Sequence, residues 1–337
     1  MQIKSIYFLL AIVVLGVTAC AQSPDCSRKD VFCAGLVTDT RGLHDLGPNQ
    51  NTWAGLEKSH ADGIVDQVAY IESVNPKDYE KNISYLADSG YDVIVTSGIG
   101  LRDATLHSAD LYPDSVFMGI NQPDEDSPTP NFIPVLFPED QMGFFAGALA
   151  TQLTRSKNIG TVCETSGIDA MWRYCEGFRA GAKHMDASVK VLVVYRDGES
   201  SSKLFIDDAW GYDNAQKLIK EANVDVLFAV GGETAVGALR AANEAKIKAI
   251  GAERDQRAAL GEEGSSVATS VLGQTSSTVQ ILMRSLRGGN FPDARMSPIG
   301  YVPFDRLVSQ SVLGELKDLL SDLENGEITT NISSEKP

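Results

Sequence analysis

Short apolar runs alternate with amphipathic stretches along most of the chain. Val31 to Val37, Val65 to Glu72, Asp92 to Thr96 and Ser115 to Ile120 read as strands, being short, rich in β-branched residues and bounded by polar turns. Helical spacing fills the intervals at Asn51 to Ala61, Asp78 to Ser89 and Arg102 to Leu111. Pro130 to Phe137 reads as a crossover, and the rhythm then restarts with a helix at Gln141 to Leu153. Strands follow at Asn158 to Cys163, Val189 to Tyr195, Val226 to Val230 and Lys248 to Gly251, separated by helices at Trp172 to His184, Tyr212 to Ala222 and Thr234 to Ala245. Such alternation means βαβ units and parallel sheets. It predicts an α/β chain of two doubly wound lobes: residues 31–134 with about 267–300 form the first, and 135–266 with about 301–327 the second. Residues 328–337 read as a polar tail.

Ligands of open parallel sheets sit beyond the carboxyl ends of the strands. The strand assignments therefore single out the loops Thr38 to Asn51, Ser97 to Leu101, Asn121 to Asp126, Glu164 to Met171, Gly231 to Thr234 and Gly251 to Gln256. Two lobes carrying these loops on facing walls make a hinge-closing trap for a small molecule.

The amino terminus changes the picture of where this happens. Lys4 precedes the apolar stretch Ile6 to Val17, and small residues lead to Cys20, the layout of a secretory signal over residues 1–19. About a dozen apolar residues fall well short of the ~20 needed to span a bilayer. Val17-Thr18-Ala19-Cys20 looks like a bacterial lipobox, so Cys20 is expected to carry acyl chains, with residues 20–30 as tether. Outside the reducing cytosol disulfides become possible. Cys26 with Cys33 and Cys163 with Cys175 are the sequence-local pairs, though four cysteines allow three pairings and free buried thiols are the alternative.

Charge and missing motifs exclude other classes. The 45 acidic against 29 basic residues give a net charge of −16, which disfavours a nucleic-acid partner. His44, His60, His107 and His184 have no zinc-ligand spacing and no CxxC occurs, so neither metal nor cofactor is expected. Neither a G-x-S-x-G elbow nor an HExxH helix is present, and the carboxylate pairs Asp124 with Asp126 and Asp207 with Asp208 read as solvated loop residues, so no enzyme is expected.

Val37-Thr38-Asp39, with Asp45, Asn49, Trp53 and Gly55-Leu56, resembles the opening motif of the BMP family, the basic membrane lipoproteins. Asp78-Tyr79-Glu80, Leu86 to Asp92, Gly143-Phe144-Phe145-Ala146-Gly147, Gly177 to Ala182, Gly231-Gly232 and Glu324 to Ile328 follow in the family's order. The resemblance implies a periplasmic-binding-protein-like (type I) clamshell that serves as substrate-binding protein of a nucleoside-type ABC importer. Expected partners are a nucleoside-like small molecule, the permease subunits and, through the lipid anchor, the outer face of a cell membrane. A sensing receptor of the same fold for another polar solute is the alternative.

By the same resemblance, Asp39 and Asn49 are expected to hydrogen-bond a base. Pro48 stands where the family commonly has a stacking Phe, which leaves Trp53, Trp172, Phe205 and Trp210 as candidate aromatic walls. Asn121 replaces a typical Asp, and Glu253 replaces an Asp that grips ribose hydroxyls. Gly273 lies where nucleoside binders usually carry a lysine, so either Arg254 supplies the cation or the ligand is not a standard purine nucleoside. Gly231 and Gly232 are expected to let the backbone approach the ligand, or merely to turn the chain; Glu233 adds a carboxylate.

Overall fold

The structure is a computed structural model describing residues 24–124, 129–292, 294–304, 306–333 and 335–337. The expected signal and Cys20 lie outside the described residues, as do Glu125 and Asp126 of the loop after the fourth strand. The first lobe is built from β1 (Cys33–Thr38), α1 (Pro48–Ala61), β2 (Gln67–Glu72), α2 (Tyr79–Asp88), β3 (Val93–Ser97), α3 (Arg102–Leu111), β4 (Val116–Ile120) and β5 (Phe132–Leu136). The second contains α4 (Glu139–Leu153), β6 (Asn158–Cys163), α5 (Asp169–Met185), β7 (Lys190–Tyr195), α6 (Asp208–Ala222), β8 (Val226–Val230), α7 (Gly232–Glu244), β9 (Lys248–Ala252), α8 (Gln256–Leu260) and β10 (Val267–Gly273). The chain returns through α9 (Thr275–Arg287), β11 (Arg295–Met296), β12 (Ile299–Tyr301) and α10 (Gln310–Glu324).

Each lobe holds a six-stranded sheet, in the orders β11-β5-β4-β3-β1-β2 and β12-β10-β9-β8-β6-β7. All pairings are parallel except β10 with β12. Central strands β1, β3 and β8 are buried along their whole length, as expected where helices cover both faces of a parallel sheet. Register matters for function: Thr38 pairs with Ser97, and Ser97 with Ile120, so three strand ends open onto one wall. One buried cluster runs from Leu36 and Val95 through Phe137 and Phe145 to Phe178 and Phe228, so the two lobes share a core across the hinge.

Two expectations need correction. Phe132–Leu136 is not a connector but a strand of the first sheet, because its backbone completes the ladder beside β4; the crossing is confined to Phe137 and Pro138. Val267–Gly273, expected in the first lobe, pairs with β9 in the second, and only α9 and β11 go back to the first. The chain thus crosses three times, at Phe137-Pro138, Gly273-Gln274 and Ser297-Pro298. These crossings are bound together: Ser297 N–H donates to the Leu136 carbonyl at 2.8 Å, and Gln274 N–H to the Pro298 carbonyl at 2.9 Å.

Both sequence-local disulfides are formed, Cys26–Cys33 and Cys163–Cys175. The second ties the carboxyl end of β6 to α5 and so closes the loop 164–171. No described helix is long and apolar enough to cross a membrane.

Candidate functional site

The first wall begins where β1 ends. Asp45 accepts the N–H groups of Gly47, Asn49 and Gln50 at 2.8, 3.2 and 3.1 Å, capping the amino end of α1, and Pro48 in the first turn needs no acceptor. This fixes Asn49 with its side chain fully buried. Its Nδ2 donates to Asp39 Oδ1 and to the Gly42 carbonyl, each at 2.8 Å, which settles the orientation of the amide. Asn49 Oδ1, buried on the same wall, accepts no hydrogen bond from the chain; Ser97 Oγ, at the end of β3, has no partner either. A buried acceptor left unsatisfied costs ~1 to 3 kcal/mol, so these atoms favour a bound donor.

Arg41, two residues past Asp39, is the cation of this wall. Its backbone N–H donates to Asp39 Oδ1 at 3.1 Å, and its Nε and a terminal nitrogen reach Oδ2 at 2.9 and 2.8 Å. Together with Asn49, this gives the Asp39 carboxylate three hydrogen bonds, two at Oδ1 and one at Oδ2, besides the ion pair with Arg41. Burial pushes the Arg41 guanidinium down, but Asp39, Glu253 and Asp45 outweigh it and hold the cation more firmly than usual. Gly98, at φ 112°, leaves the room: a Cβ there would lie 2.8 Å from Asp39 Oδ2.

The second wall is built at the ends of β6, β8 and β9. Glu164 is fully buried and accepts Arg196 Nε at 2.7 Å, while its other oxygen has no partner in the chain. Arg196 also donates to the Ser200 carbonyl and lies 3.5 Å from Asp207. Gly231 is required by close approach, since a Cβ would fall 2.3 Å from Glu164 Cβ. Glu253 has a left-handed backbone, φ 69°, that turns its carboxylate toward the Gly232 N–H. Burial raises the Glu253 carboxyl above its ordinary range against the pull of Arg41 and Arg254.

The walls meet. Asp255 N–H donates to the Leu46 carbonyl at 3.1 Å, and Gly47 packs against the Arg254 Cβ. At the floor, Glu139 opens α4 and is pushed up to about 7 by burial, with Arg173 opposing and Asp140 and Glu253 adding to the rise. Tyr174, buried beside Glu139 and Glu253, is raised as well, and its hydroxyl donates to Met142 Sδ at 3.5 Å.

The structure therefore brings Asp39, Asn49, Gly231, Gly232, Glu253 and Arg254 to the facing walls. Asn121 stands at the end of β4 with φ 59°, its N–H on the Val135 carbonyl. Phe205 contributes backbone, accepting the Glu233 N–H at 2.8 Å at the start of α7, and Glu233 itself faces Arg254 at 3.9 Å. Trp172, nearly fully buried at the start of α5, donates its indole N–H to Asp169 at 3.2 Å. Two candidates are used elsewhere: Trp53 packs edge-on against Tyr70 of edge strand β2 at 4.9 Å, and Trp210 packs into the outer layer with α6 and the alanine-rich α7. Aromaticity alone could not separate these cases. Arg41, Glu139 and Arg196 were not singled out from sequence, although Arg41 falls inside the first loop assigned to the site.

Comparison with known proteins agrees with this architecture. The chain is 26% identical to the ABC transporter nucleoside-binding protein BmpA of Lactococcus lactis over 84% of each chain. It is 25% identical to a CD4+ T-cell-stimulating antigen of Listeria monocytogenes over 94% of each. Among solved structures, an ABC transporter solute-binding protein from Conexibacter woesei superposes with a TM-score of 0.71 at 20% identity, over 88% of this chain and 98% of that one. The model of the Bmp family, described as ABC transporter substrate-binding protein PnrA-like, matches residues 33–301, and the chain belongs to that family of substrate-binding proteins.

Proposed function

We propose that the chain captures a nucleoside, or a related molecule bearing a nucleobase, between its lobes and presents it to the permease of an importer. Acyl chains on Cys20 would hold it at the outer face of the membrane. The observation that carries this reading is Asn49: its amide nitrogen is committed to Asp39 and Gly42, and its carbonyl oxygen is buried without a donor. A planar heterocycle with an N–H in its edge supplies that donor. Glu253 on the opposite wall suits sugar hydroxyls, since a carboxylate accepts several hydrogen bonds. The nucleoside-binding relative from Lactococcus lactis supports the same class of ligand.

Capture works through closure. Ligand contacts to both walls favour the closed form only by the difference in affinity between the two states. Three bundled crossings let the lobes rotate without parting. The test is to identify small molecules that co-purify with the chain by mass spectrometry, and to follow its melting temperature across nucleosides, nucleobases, sugars and amino acids. A nucleoside that raises the melting point and contracts the solution-scattering envelope is expected; stabilisation by a sugar or amino acid alone would sink the reading.

A further inference from the structure

We infer that Arg41 and Asn49 form a donor and acceptor pair that selects bases carrying a lactam edge, as in hypoxanthine, guanine and uracil, over bases carrying an amidine edge, as in adenine and cytosine. The inference rests on the nucleoside reading above and adds which face of the base is read.

The Asp39 carboxylate is committed to Arg41 and Asn49 through three hydrogen bonds and an ion pair. Asp39 is therefore a positioning residue, and the groups it positions are what the wall presents. From Arg41, the Nε and one terminal nitrogen are spent on Asp39, while the other terminal nitrogen donates to nothing in the described chain. From Asn49 the buried Oδ1 remains. A guanidinium donor and an amide acceptor are thus held by one carboxylate. A lactam presents the complement, a carbonyl acceptor beside a ring N–H. An amidine presents the reverse, an amino donor beside a bare ring nitrogen, and would set donor against donor at Arg41 and acceptor against acceptor at Asn49. Guanidinium is also the group that pairs with O6 and N7 of guanine in other settings.

Inosine and adenosine differ only in this edge, as do uridine and cytidine. Calorimetry on the full chain is expected to show inosine binding at least about tenfold tighter than adenosine, and uridine tighter than cytidine. Arg41→Ala, on a half-exposed loop side chain, should lower inosine affinity by about tenfold or more and adenosine affinity by much less, so that the ratio collapses. Arg41→Lys keeps the charge without the planar fork and should recover only part of the preference. An unchanged inosine-to-adenosine ratio in Arg41→Ala, tighter inosine binding by that variant, or a wild-type preference for adenosine would overturn the inference and leave the nucleoside reading standing. A wild-type chain that binds none of the four overturns both.

Discussion

At the scale of single residues, the cleft floor shows how position sets chemistry. Glu139 is an ordinary glutamate in the sequence, yet burial at the start of α4 lifts its carboxyl from 4.5 to about 7, with only its own backbone N–H and Arg173 working against the rise. A carboxyl whose folded pKa exceeds its unfolded value binds more protons when folded, so stability falls as pH rises between the two values. Glu253 is raised too and acts in the same direction. Carboxylates held low, such as Asp186 at about 2, act in the opposite sense but only at lower pH, below the ordinary range. The expected outcome is that Glu139→Gln matches the wild type in urea unfolding near pH 5 and gains stability near pH 8, by at most roughly 3 kcal/mol. Equal differences at both pH values would show that Glu139 is not buried as described. Nothing in the local sequence signals this residue, because its partial burial comes from a floor assembled within the second lobe by Tyr174 and Arg173 of α5 and Glu253 after β9. Asn49, by contrast, was reached through the family resemblance of the motif around Asp39, Asp45 and Trp53; its place in the first turn of α1, capped by Asp45, was not, because helical spacing began only at Asn51.

At the scale of elements, the strands and helices were readable because both sheets are parallel and covered, which forces continuous apolar strands and periodic helices. Packing between elements adds a reason for motifs that sequence could only match. Gly143 and Gly147 on α4 face Gly177 and Gly181 on α5, and at each a Cβ would lie within 2.1 Å of a backbone carbonyl oxygen on the facing helix. The two backbones touch, and neither can retreat without opening the shared core. Gly147→Ala should therefore cost more than the ~1 to 3 kcal/mol typical of overpacking. Gly314 in α10 has open space around its Cβ position, so Gly314→Ala should instead stabilise by up to about 1 kcal/mol through helix propensity. Chemical denaturation of the two variants checks the contrast, and similar shifts would refute the backbone contact. This register matters to the site because it sets Glu139 of α4 beside Tyr174 of α5.

At the scale of the whole molecule, the two-lobe plan followed from the rhythm of the chain, but the return path did not. Residues 267–327 visit the second sheet, the first lobe, and the second sheet again, using β11 and β12 of two and three residues. Strands that short carry no periodicity; their pairing is decided by the crossings they join. There lies the physical account of Gly273. Its Cβ position falls 2.2 Å from Phe137 Cε1, so the ring at the first crossing occupies the space a side chain at the second would need. A lysine at 273 and an aromatic ring at 137 exclude one another in this hinge. Gly273→Lys alone should lower stability by about 2 kcal/mol or more through overpacking, and Phe137→Ala alone by ~3 to 5 kcal/mol through loss of the buried ring. The double variant should cost less than the sum, with a coupling of ~1 to 3 kcal/mol, because removing the ring admits the lysine. Strict additivity in such a cycle would mean that the two crossings do not compete for one space, and that the missing lysine has its cause outside the hinge.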